Sequence, residues 1–114
     1  MELDECQLML RNYVDYPPEL GPFSCAFSLW TNTGKLAEKM HTVLEQKHGD
    51  FEDTDKGRIA ISISDILFDI SNIAYDMGYT LDDIVNLQVR KQELLRRQRL
   101  QEKDKIAPNK SSNP

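Results

Sequence analysis

Ile59-Ala-Ile-Ser-Ile-Ser-Asp65-Ile-Leu-Phe-Asp69-Ile-Ser-Asn-Ile-Ala-Tyr-Asp-Met-Gly78 is the stretch from which the fold is read. Ile59, Ile63, Ile66, Leu67, Ile70, Ile73, Ala74 and Met77 recur at steps of three and four, which predicts a helix over residues 58–77 with these side chains as its buried face. Ser62, Asp65, Asp69, Asn72 and Asp76 keep the same period and make a narrow polar stripe beside it. Gly78 supplies the stop, because glycine adopts the left-handed conformation that ends a helix.

The neighbouring segments fall into place around this helix. Downstream, Thr80 followed by Asp82 and Asp83 reads as a helix start, since hydroxyl and carboxylates meet unpaired amides there. The helix it opens carries Leu81, Ile84, Val85, Leu87, Leu94 and Leu95 and is expected to run to about residue 103. Upstream, residues 48–57 read as an acidic loop. A calcium loop is excluded there, because Lys56 and Ile63 would occupy ligand positions and neither can coordinate the ion. A second helix is expected over residues 24–47, with Ala26, Trp30, Thr33, Ala37, Met40 and Leu44 as its core stripe, flanked by Leu29, Leu36 and Val43. Gly34 lies in the middle of it, at a cost of about 1 kcal/mol against alanine, and suits a close approach of another helix or a ligand. A first helix is expected over residues 3–16, halted by Pro17 and Pro18. Four helices with short connections predict an all-α four-helix bundle, one domain over residues 1–105 and a disordered tail over 106–114.

Composition agrees with a globular chain: of 114 residues, 39% are hydrophobic and 29% charged. No apolar run is long enough to cross a bilayer, and the acidic N-terminus is unlike a secretory signal, so the expectation is a cytoplasmic protein away from the membrane. Cys6 and Cys25 have neither disulfide-framework nor metal spacing and read as ordinary thiols. The net charge of −5 is unevenly spread, −10 over residues 1–89 and +5 over residues 90–114. Arg90, Lys91, Arg96, Arg97 and Arg99 offer polyphosphate or nucleic acid a basic helix face, but no aromatic residue is interleaved for base stacking, and the favoured reading is a face that is solvated or paired with acids of its own or a partner chain.

Three stretches resemble the MazG-like branch of the all-α nucleotide pyrophosphohydrolases. Gly34-Lys-Leu-Ala-Glu-Lys-Met40 is similar to the family's Gly-Glu-(apolar)-Ala-Glu helix. Asp65-Ile-Leu-Phe-Asp-Ile70 with Ala74-Tyr-Asp-Met-Gly78 resembles its Gly-Asp-Val-Leu-Trp and later Ala-x-x-Leu-Gly. Thr80-Leu-Asp-Asp-Ile-Val85 leading to Gln88-Val-Arg-Lys91 resembles its Leu-Glu-Glu-Val and Asn-x-x-Lys. The set covers roughly residues 24–97.

The resemblance implies a reaction that cuts a nucleoside triphosphate to monophosphate and pyrophosphate. Two pairs of carboxylates, on the second and third helices, would hold the magnesium that does it. Carried over position by position, however, the ligand places hold Asn32, Lys35, Ser62 and Asp65, of which only Asp65 is an acid; Glu38 matches a family acid one turn on. No cofactor is therefore expected, and the leading expectation is a non-catalytic member acting as a nucleotide-binding or assembly module. A homo-oligomer, dimer or tetramer, is implied, and a further protein partner is compatible with it. Two alternatives stand beside it. One is an active magnesium enzyme with relocated ligands, Glu38, Asp65 and Asp69, with His41 a further candidate. The other is a nucleic-acid-associated protein, with Arg90 and Lys91 as candidate phosphate contacts. Within the leading expectation, Lys35 takes the place of the metal, its ammonium facing Asp65 while Asn32 and Ser62 hydrogen-bond the remaining oxygens.

Overall fold

The computed structural model describes residues 1–17 and 19–111, the last six of these by their backbone alone. It is all-helical: α1 (Leu3–Arg11), α2 (Phe23–Gln46), α3 (Asp53–Asp76) and α4 (Leu81–Ser111), with no strand among the described residues. The chain divides into two units, Met1–Leu81 and Asp82–Pro114.

In the first unit α2 and α3 form an antiparallel pair, and α1 packs on α3. Two helix ends here differ from the sequence reading, each for a local reason. Α1 stops at Arg11 rather than near residue 16, because the amides of Asn12, Tyr13 and Val14 turn to carbonyls three residues back. That tightening takes the chain off the helix axis before Pro17, whose ring disfavours helix in the residue before it. Α3 starts at Asp53, five residues earlier than expected, so half of the presumed acidic loop is helical. Its signal is a capping box: the Asp55 carboxylate accepts from the Glu52 amide at 3.0 Å, while the Glu52 side chain accepts from the Asp55 amide. At the other end, Gly78 behaves as expected. With φ +84 it lets the Tyr79 and Gly78 amides return to the carbonyls of Ala74 and Tyr75.

The second unit is the body of α4. Its described side chains are exposed except for the half-buried Ile84. The helix continues to Ser111, past the expected end near residue 103; residues 81–107 contain neither glycine nor proline, and the backbone stays helical through Pro108. The tail expected over residues 106–114 therefore begins inside α4, and residues 112–114 lie outside the described residues.

Candidate functional site

The α2–α3 pair is closed by three polar rungs. The Lys47 ammonium meets both carboxylate oxygens of Asp55 at 3.0 and 2.8 Å. Two turns along, the Lys39 ammonium donates to the Ser62 hydroxyl at 2.6 Å and to the Arg58 carbonyl at 3.5 Å. A further two turns along, the Asn32 amide donates to Asp69 at 2.9 Å. The antiparallel register running through these rungs sets Val43 opposite Ile59, Leu36 opposite Ile66 and Leu29 opposite Ile73. Polar and apolar layers thus alternate along one seam, spaced at three and four as a helix requires.

This seam is not the one expected. The stripe Ala26, Trp30, Thr33, Ala37, Met40 and Leu44 is exposed throughout, with Trp30 78% accessible, whereas the flanking Leu29, Leu36 and Val43 line the seam. On α3, Ser62, Asp69 and Asn72 of the polar stripe are buried, while Ile63, Leu67, Ile70 and Met77 of the presumed buried face are exposed. One residue is about 100° of helix rotation, so a stripe read one position off points to another side.

The same rotation corrects the pairing expected for Lys35. Lys35 and Asp65 are both exposed, and no bond joins them. Near this place the lysine that crosses the seam is Lys39, one turn later, and the acid inside is Asp69, 2% exposed. Asn32 does hydrogen-bond an acid, but it is Asp69; Ser62 accepts from the ammonium instead of serving a carboxylate. Gly34 is not a point of close approach, since a Cβ built there meets nothing within 4 Å. Of the relocated set, Glu38 and Asp65 are exposed while Asp69 is buried, and His41 lies on the surface, 3.1 Å from Glu45. Among the described residues, no three carboxylate, imidazole or thiol side chains gather at one place. Arg90 and Lys91 are exposed on α4.

A second polar cluster ties α1 to the end of α3. Arg11 meets one oxygen of Asp76 at 2.8 Å and the Tyr16 hydroxyl donates to the other at 2.9 Å, with the guanidinium stacked 4.4 Å over the Tyr75 ring. Burial pushes the Tyr16 phenol pKa up, and Asp76 adds to that shift. Burial works against the Arg11 charge, but the Asp76 and Tyr16 contacts outweigh it and raise its pKa. Buried Gln7 donates to the carbonyls of Ser71 and Tyr79. Ser71 and Asn72 are fully buried, and the Ser71 hydroxyl and the Asn72 carbonyl oxygen have no protein partner. Cys25 and Cys6 are both free thiols. Burial, then the charges of Asp69 and Asp76, push the Cys25 thiol pKa up, which suits an inert core residue.

Magnesium takes near-octahedral oxygen ligation, usually with carboxylates in its shell. At the four places named by the resemblance the chain has the Asn32 amide bonded to Asp69, an exposed lysine, the one carboxylate of Asp65, also exposed, and a hydroxyl already bonded to an ammonium, a donor set with a single acid and a competing cation. Comparison with protein-family models, with curated proteins and with solved structures returns no match.

Proposed function

We propose that this chain is a MazG-like helical protein in which direct side-chain bonds have replaced metal-dependent catalysis, leaving a binding and assembly module. The observation that carries the reading is the Lys39–Ser62 rung. Where the resemblance calls for an acid, Ser62 receives a positive charge, which opposes a divalent cation in the same space. Asn32, at another of the family's ligand places, spends its amide on Asp69.

The assembly half of the reading rests on what the chain leaves uncovered. Among the described residues the buried apolar set is Cys25, Val43, Ala74 and Leu81, while Phe27, Trp30, Leu44, Ile61 and Ile63 are each more than half exposed. Faces of this size on a small chain call for a partner, and a second copy supplies a self-complementary surface.

The test is release of pyrophosphate from a panel of nucleoside triphosphates with millimolar magnesium. No release above the blank is expected. Turnover abolished by Asp65→Asn would overturn the reading in favour of a relocated metal site. Steeply salt-dependent affinity for RNA or DNA that disappears in an Arg90→Gln, Lys91→Gln protein would replace it with a nucleic-acid role.

A further inference from the structure

Beside the Lys39–Ser62 rung lies a cavity of about 320 Å³, lined by Lys35, Glu38, Lys39, Thr42, Arg58 and Asp55 over a floor of Val43 and Ile59. Its charge is unusual for a chain of net charge −5. Three cations, Lys35, Lys39 and Arg58, face two acids, and Asp55 is already bound through both oxygens by Lys47. That leaves Glu38 as the one acid opposing three cations. Lys39 is held in place without a carboxylate, by the Ser62 hydroxyl and the Arg58 carbonyl. An ammonium has three donors, so one remains for a ligand.

We infer that this cavity is a metal-independent site for a di- or triphosphate group, bound by Lys35, Lys39 and Arg58. A guanidinium fork and two ammonium groups suit the several oxygens and the multiple charge of a phosphate chain better than a single carboxylate. The volume agrees, standing at the small end of the roughly 300–1,000 Å³ typical of small-molecule sites. Positive charge supplied by the protein here does what magnesium does for phosphates elsewhere, without a carboxylate set to hold the ion.

The inference deepens the non-catalytic reading above, on which it rests, and it is tested separately. Calorimetry with inorganic pyrophosphate on the full chain, in EDTA and low salt, should give saturable binding at one site per chain that weakens as salt is added. Lys35→Gln with Arg58→Gln, both exposed side chains, should weaken it roughly tenfold or more while helicity and melting temperature stay unchanged. Arg90→Gln with Lys91→Gln should leave it intact. ATP should compete with pyrophosphate: equal affinity assigns recognition to the phosphates alone, and tighter ATP binding adds a nucleoside contact, both in keeping with the site. No saturable binding, binding that needs magnesium, or binding unaffected by the first pair and lost in the second would each overturn it. Pyrophosphate release from ATP, with EDTA-resistant binding intact, would remove the non-catalytic reading and uphold the cavity.

Discussion

Lys39 and Ser62 form the rung on which the non-metal reading turns, and their energetics can be isolated. Removing a charge-assisted hydrogen bond of this kind costs roughly 1.5–3 kcal/mol, and the half-buried position of Lys39 places the expected loss at the low end. Lys39→Ala should therefore destabilise by about 1.5 kcal/mol in urea unfolding. A cycle with Ser62→Ala should show positive coupling; strict additivity of the two would mean that the bond contributes nothing. Gly34 supplies the contrasting case. Its Cβ would enter open space inside a helix, so Gly34→Ala should stabilise the dilute protein by about 1 kcal/mol. A loss of stability at that position would reveal that another chain covers it.

At the scale of elements, the junction of α2 and α3 is held by Lys47, Glu52 and Asp55, and it is sensitive to acid. The Lys47 hydrogen bond and then the Glu52 amide hold the Asp55 carboxyl below its ordinary pKa. A depressed folded value means stability that is complete above the unfolded Asp value of about 3.9 and is lost as pH falls through the lower folded one. Asp55→Asn should consequently lower the urea midpoint at pH 6 and lose most of that difference near pH 2. An equal deficit at both values would exclude the carboxylate as the cause. The tie between α1 and α3 is open to a similar probe. Tyr16→Phe takes one donor from Asp76 but leaves Arg11, and a loss of about 1 kcal/mol is expected.

For the whole molecule, the balance of buried to exposed apolar surface is the dominant fact. Trp30, on the outer stripe of α2, is among the most exposed of the large apolar residues, and in the assembly proposed above another copy covers that face. Light scattering at micromolar concentration should give a mass above the 13.2 kDa of one chain, with a melting temperature that rises with concentration. Trp30→Asp should lower that mass without unfolding the subunit, because in the single chain the indole packs against little. A clean monomer of the natural protein would refute the assembly.

Much of this architecture was legible along the chain. The 3,4 period of residues 59–77 and Gly78 after it specify a helix and its end through local backbone chemistry, so helix type and number needed no tertiary information. The capping box of Glu52 and Asp55 lacks the Ser/Thr-x-x-Glu/Gln pattern by which such boxes are read, so the start of α3 showed only in the side-chain geometry. Which side of each helix turns inward was not legible. On α2 the stripes through Trp30 and through Leu36 have the same period and differ by one residue, and propensity does not choose between them. Only the packing of α2 on α3 decided it, by setting Lys39 against Ser62 and Asn32 against Asp69, because a buried polar group must meet a partner across the seam.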